Sequence, residues 1–184
     1  MKHYGTVTLE TARLVLRRAT EDDDEAGFAN YASDEEVTKF LTWPAYDVAD
    51  LYRFYLLDVI RNYQNLDYYS WLIDLKGAGV VGAIAFTKVD EGTDTLYPGY
   101  VLGRNWWGQG IMTEALSRVI RFGFEDMEAN RIACYHDVDN TRSGRVMQKC
   151  GMTFEGILRQ AAYGNRGIVD ICHYSILASE YFGS

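Results

Sequence analysis

Apolar and polar residues exchange places along this chain in runs short enough to read as individual strands and helices. From Leu9 to Arg18, Leu14 and Leu16 alternate with Arg13, Val15 and Arg17, the two-residue period of a half-buried first strand. Thr20 followed by Glu21-Asp22-Asp23-Asp24 predicts a capped helix start, with the helix running on through Phe28 and Tyr31. Phe40-Leu41-Thr42-Trp43-Pro44 reads as a loop, because a proline disfavours helix at the residue before it. Asp47 then caps a second helix through Leu51, Phe54, Tyr55, Asp58 and Arg61. Tyr69 to Leu75 and Val80 to Val89 flank the turn Lys76-Gly77-Ala78-Gly79 and predict a hairpin. Thr95 to Leu102 is the next strand, and Pro98-Gly99 predicts a bulge within it.

Tyr100 to Ala115 is the stretch around which the rest is organised. A strand ends at Leu102, a turn runs from Gly103 to Gly110 with Trp106 and Trp107 in it, and a helix follows. That helix places Ile111, Met112, Ala115, Leu116, Val119, Ile120 and Phe124 on one apolar side. A strand–glycine turn–helix unit points the free N–H groups of the first helical turn outward, where they suit a phosphate. Gly108 and Gly110 lack Cβ atoms, so a diphosphate can approach the backbone. The spacing is neither the G-x-G-x-x-G of a dinucleotide fold nor the Gly-Lys-Ser/Thr of a triphosphate loop.

Beyond it, Arg131 to Asp137 reads as a strand, residues after Asn140 as a short helix to Cys150 capped by Gly151, and Val169 to Leu177 as a last strand. The order β-α-α-β-β-β-α-β-α-β-β predicts one mixed α/β (α+β) domain over residues 1–184.

Composition narrows the class. At 184 residues and 48% hydrophobic the chain has material for one sizeable core. Its net charge of −8 argues against nucleic acid as a partner and mildly favours a cationic amine. Cys134, Cys150 and Cys172 lack metal-ligand or disulfide spacing, so no metal is expected. No apolar run has the length of a membrane span and no signal region opens the chain, so no membrane partner and a cytoplasmic address are expected.

Trp107-Gly108-Gln109-Gly110-Ile111-Met112-Thr113-Glu114-Ala115 resembles the acyl-CoA loop of the GNAT N-acetyltransferases, in its RimJ/RimL-like (ribosomal-protein alanine acetyltransferase) branch. The family pattern is Gln/Arg-x-x-Gly-x-Gly/Ala, and its first position departs here to Asn105, with Arg104 beside it. Thr11, Arg13, Leu14, Leu16 and Arg17 resemble the branch's opening strand. Asn140 and Ser143 resemble its second cofactor motif, and Lys149-Cys150-Gly151-Met152-x-Phe154-Glu155-Gly156-x-Leu158-Arg159 its continuation.

The resemblance implies a mixed, mostly antiparallel sheet whose fourth and fifth strands splay, flanked by helices. It implies acetyl-CoA as cosubstrate and acetyl transfer to a primary amine, with a protein N-terminus as the branch expectation. A small-molecule amine acceptor, or a non-catalytic acyl-CoA-binding module, is the alternative. Backbone groups of Tyr100, Val101 and Leu102 would bond the pantetheine arm. Amides from Gly108 through Gln109, Gly110, Ile111 and Met112 to Thr113 would cradle the diphosphate, with Asn105, Arg104 or Lys149 on further oxygens. Relatives' tyrosine acid falls on Met147, so Ser143 is expected to assist the departing thiolate. Their strand-four glutamate is absent at Tyr97, which leaves His136, Asp137, Asp170, Glu155 or water as the base. Monomer and homodimer stay open.

Overall fold

Alternation along the strands sends side chains into two cores on opposite faces of one sheet. The computed structural model describes residues 1–183. Its strands are β1 (Leu9–Glu10), β2 (Leu14–Arg17), β3 (Ser70–Leu75), β4 (Gly79–Asp90), β5 (Thr95–Leu102), β6 (Arg131–Asp137), β7 (Thr153–Gly164) and β8 (Gly167–Leu177). They lie in the order β1-β2-β3-β4-β5-β6-β8-β7. The helices are α1 (Asp24–Gly27), α2 (Glu35–Thr38), α3 (Ala49–Asn62), α4 (Ile111–Glu125), α5 (Thr141–Lys149) and α6 (Ala178–Gly183). A 3-10 turn, Glu21–Asp23, leads into α1, and a π turn, Phe28–Ala32, continues it.

Trp71 and Ile73 of β3 enter the larger core with the apolar face of α4, whereas Leu72 between them enters the smaller core under α3. All seven expected apolar residues of α4 are buried. On α3 the buried stripe is Tyr52, Leu56 and Val59, which leaves Leu51, Phe54 and Tyr55 exposed. Gly151 closes α5 as expected: its N–H donates to Gln148 O at 3.0 Å, and that of Met152 to Met147 O at 3.1 Å.

Four expectations change. The first strand is two, because Thr11 turns the chain: Leu14 N donates to Thr11 Oγ1 at 2.9 Å and β1 folds back on β2. Asp47 does not cap α3, whose N-cap is Val48. The short α2, capped by Asp34, lies in a stretch without a readable period. The bulge sits across from Pro98, not in its strand: Phe86 pairs with Pro98 and Lys88 with Tyr97, so the extra residue is Thr87 of β4. Thr87 Oγ1 donates to Tyr97 O at 3.0 Å, and its methyl fills the space a Cβ on Gly99 would take. Gly99 thus accommodates its neighbour's bulge.

The splay is present between β5 and β6, the fourth and fifth strands as first counted. Their parallel pairing holds at Thr95–Arg131 and Leu96–Ile132, and beyond it the strands part.

Candidate functional site

The parting strands open a cleft of about 790 Å³. One wall is the end of β5, the loop 103–110 and the first turn of α4. The opposite wall is one side of α5 from its N-cap Asn140 to Lys149, with residues of Glu36 to Leu41 also lining the cleft. Gly103 N donates to Val81 O at 2.8 Å, so in the two-residue alternation of β5 the backbone groups of Tyr100 and Leu102 turn from β4 toward the gap. Leu102 O accepts from Trp107 Nε1 at 2.7 Å, which pins the loop to the strand it leaves.

Glu114 N donates to Gly110 O at 3.0 Å and begins the helical ladder. The amides of Ile111, Met112 and Thr113 precede that bond and have no carbonyl of their own helix to reach. Gly108 and Gly110, at φ +76° and +75°, aim the loop backbone the same way, and a Cβ on Gly108 would meet nothing within 4 Å. Open space over a glycine turn beside free amides is a fit for a diphosphate.

Of the residues expected at the cofactor, Tyr100, Val101, Leu102, Gly108, Gly110, Ile111, Met112, Thr113, Asn140, Ser143 and Lys149 line the cleft. Asn105 and Gln109 do not. They lie exposed on the loop's outer side, where Gln109 Nε2 donates to Asn105 O at 2.9 Å. Arg104 is also turned away and pairs with Asp34 at 3.0 Å. The turn reverses direction within a few residues, so adjacent side chains face opposite ways. The cleft instead gains Arg142 and Arg145, which with Lys149 form a basic row on α5. Their spacing of three and four residues was visible in the sequence. The Arg142 guanidinium stacks over the Trp107 ring at 4.5 Å and joins the two walls.

Thr11 and Arg13, which pattern alone reads as a plain strand, hold the loop helix. Thr11 Oγ1 donates to Glu114 Oε1 at 2.6 Å and Arg13 Nε to Glu114 Oε2 at 2.6 Å. Arg13 Nη1 donates to Gln109 O at 3.1 Å. Partial burial works against the Glu114 carboxylate, but these bonds outweigh it and hold the carboxyl below its ordinary value. Glu114→Ala is expected to lower the unfolding free energy by about 1–2 kcal/mol, discounted because Arg13 is half exposed. Urea denaturation measures it, and an unchanged midpoint would mean the helix start stands without the clamp.

Asn140 caps α5, its Oδ1 accepting from Ser143 N at 3.4 Å. Ser143 Oγ lies 2.8 Å from Tyr100 Oη, which crosses the gap from the other wall. Met147 is buried in the larger core.

None of the four candidate bases lines the cleft, and the three carboxylates are bonded elsewhere. His136 is buried against α5: Nδ1 bonds Asp137 O at 2.7 Å, the ring stacks on Tyr174, and Nε2, closed in against Gly144, has no hydrogen-bond partner among the described residues. Both Asp137 carboxylate oxygens accept from Arg166, at 2.8 and 2.9 Å. Hydrogen bonds from Arg131, then Ser175 and His173, hold Glu155 down to about 2 against partial burial. Asp170 accepts from Gln160 N at 2.8 Å. The carboxylates that do line the cleft are those of Glu36 and Asp139. Asn165 Nδ2 donates to Thr38 O and Trp43 O, both at 2.8 Å, so the β7–β8 turn ties down the loop beside the cleft. Among the described residues no group of three or more metal-ligating side chains occurs, and no helix is long and apolar enough to cross a membrane.

The family model of the acetyltransferase (GNAT) domain matches residues 13–153 of this chain, from the clamp of Arg13 through both cleft walls. The uncharacterized N-acetyltransferase p20 of Bacillus licheniformis is 31% identical over 182 residues, 96% of this chain and 99% of that protein. The ribosomal protein uS5-alanine N-acetyltransferase of Escherichia coli (strain K12) is 30% identical over 159 residues, 82% of this chain and 80% of the enzyme. The crystal structure of the microcin C7 self immunity acetyltransferase MccE, in complex with acetyl-CoA and AMP, matches with a TM-score of 0.81 at 25% identity. The match covers 91% of this chain and 93% of the chain in that structure.

Proposed function

The chain belongs to the GNAT acetyltransferase family, and from that premise we propose that it acetylates the N-terminal amine of a protein. As a family member it is an acetyl-CoA-dependent N-acetyltransferase; the acceptor and the residue roles are what the proposal adds. The observation that carries the acceptor is the identity of 30% across 82% of the chain with an enzyme named for a ribosomal-protein alanine.

Acetyl-CoA supplies an acetyl group already activated as a thioester. The chain's own groups do the rest. Amides of the 108–113 turn hold the diphosphate, and Arg142, Arg145 and Lys149 add charge along the same cleft. The Leu102 N–H, turned toward the gap, donates to the carbonyl oxygen as negative charge develops there. Asp139 is paired with Arg166 at 2.6 Å, which leaves Glu36, held among the described residues only by Lys39 at 3.8 Å, to draw the acceptor ammonium into the cleft, and the ammonium's proton leaves to water. The Ser143 hydroxyl donates to the sulfur as it departs.

Free-thiol release from acetyl-CoA, against peptides beginning with Ala, Ser or Met and a panel of small amines, tests the reading. Release is expected with at least one peptide and not with the small amines. Release with small amines alone would replace the protein acceptor by a metabolite.

A further inference from the structure

We infer that the Tyr100 hydroxyl is a positioning group: it fixes the Ser143 hydroxyl so that the serine proton faces the cleft and the leaving sulfur. This rests on the role given to Ser143 above and extends it.

A serine hydroxyl near the start of a helix has a competing acceptor. Left free, it rotates to donate to a carbonyl of the preceding turn, which would withdraw its proton from any ligand. In this chain a second hydroxyl interferes. Tyr100 Oη lies 2.8 Å from Ser143 Oγ, a contact in which either hydroxyl can donate, and its one proton also reaches Ser143 O at the longer distance of 3.3 Å. A phenol is the stronger acid and weaker acceptor of the two hydroxyls, so the short bond runs from the tyrosine O–H to the serine oxygen. With that lone pair engaged, the serine O–H turns the other way. Both Tyr100 and Ser143 line the cleft, so a serine proton turned from the tyrosine stays within reach of a ligand there.

Two further observations place the phenol in this role. Met147, four residues along α5 from Ser143, is sealed in the core and offers nothing to the cleft. A phenol nonetheless reaches the α5 side of the cleft, from β5 across the gap. Burial also keeps the Tyr100 phenol protonated far above its ordinary range, so it remains a donor at any working pH.

The bonds balance without a proton leaving Tyr100. The amine nitrogen's lone pair forms the C–N bond, and the C–S bond breaks with its electron pair going to sulfur. The nitrogen's surplus proton leaves to water. The resulting thiolate accepts a hydrogen bond from Ser143 Oγ–H, and Ser143 Oγ accepts one from Tyr100. The free thiol later takes its proton from water.

The direct readout is the titration of CoA bound to the enzyme, followed by thiolate ultraviolet absorbance. The wild type is expected to hold the bound thiol's pKa below that of free CoA, and Tyr100→Phe, which keeps the ring, to raise it. Tyr100→Phe is also expected to lower kcat about tenfold with KM for acetyl-CoA nearly unchanged, an indirect share of a donor's usual effect. Affinity for desulfo-CoA, which lacks the sulfur, should not move. Ser143→Ala should shift the thiol at least as far, and the double variant no further. If Ser143→Ala leaves the thiol titration unmoved, the reading of Ser143 fails and the inference with it. If Ser143→Ala moves it and Tyr100→Phe does not, the inference alone is overturned. Loss of desulfo-CoA affinity in Tyr100→Phe would likewise overturn it, by reducing the tyrosine to packing.

Discussion

The double variant Gly108→Ala/Gly110→Ala is expected to weaken acetyl-CoA binding about a hundredfold, roughly 2.8 kcal/mol, while the protein stays folded. Both positions hold left-handed backbone at φ +76° and +75°. An alanine there costs roughly 1–2 kcal/mol, and the chain escapes the cost by rotating its peptides. The rotation turns amides away from the cleft, and the added methyl at 108 occupies the open space a diphosphate needs. Packing does not enter, since the nearest atom to a Cβ on Gly110 is Arg13 Nη2 at 3.6 Å. Gly77 provides the control. It sits at φ +88° in the β3–β4 turn, also with nothing within 4 Å of an added Cβ. Gly77→Ala carries the same backbone cost and should bind acetyl-CoA normally. Calorimetric titration decides between them, and an unchanged dissociation constant in the double variant would falsify the phosphate reading of the loop.

Arg17→Ala is expected to destabilise the fold by about 3 kcal/mol at neutral pH, the lower end of the range for a broken buried pair. Arg17 donates to both oxygens of Asp23 at 2.8 and 2.7 Å, and to Asp74 at 2.9 Å. It thereby joins β2 to β3 and to the turn that starts α1. The Asp23 side chain is 9% exposed, so without its partner a carboxylate stays buried with only Thr20 to bond it. Burial pushes the Asp23 carboxyl up, but Arg17 and Thr20 outweigh it and leave the group below its ordinary value. The sign follows. A lowered carboxyl contributes stability above its unfolded value of about 3.9, and that contribution fades as pH falls through the folded value. The gap between wild type and Arg17→Ala should therefore be widest near pH 7 and close as Asp23 protonates. Urea denaturation at the two ends of that range measures it. A difference under about 1 kcal/mol at neutral pH would place the pair among ordinary surface ion pairs.

How far the sequence could be read depended on whether each signal was local. The apolar face of α4 was legible because a long helix repeats its period several times, and so was the glycine cap of α5. The phase of α3 was not. Its sequence offers apolar residues on two faces, and only packing against Tyr31 and Leu72 selects Tyr52, Leu56 and Val59. The Thr11 turn is hidden in the sequence because the alternation of Leu14 and Leu16 holds on one side of it only. The bulge at Thr87 is decided by its neighbour across the ladder, which no single run contains. At the site, the glycines announced where the backbone must be bare. They could not say which way Asn105 and Gln109 would point, since that depends on the path of the loop. The sequence points to Tyr100 for its backbone alone, and its side chain's reach to Ser143 is a contact across 43 residues.

The two ladder pairs that hold β5 to β6 also bear on how the molecule assembles. Strands β1 to β5 follow one another in the sheet as they do in the chain, although β2 and β3 pair across the segment that carries α1, α2 and α3. The C-terminal half, β6-β8-β7 with α5, closes separately around the β7–β8 hairpin. Between them the sheet supplies two rungs, and α4, packed against both β5 and β6, supplies the splint. The sheet is thus two units sharing one narrow seam, across which the larger core runs unbroken from Trp71 to Tyr174. A ligand seated in the cleft touches both units, and its binding free energy adds to the cohesion of that seam.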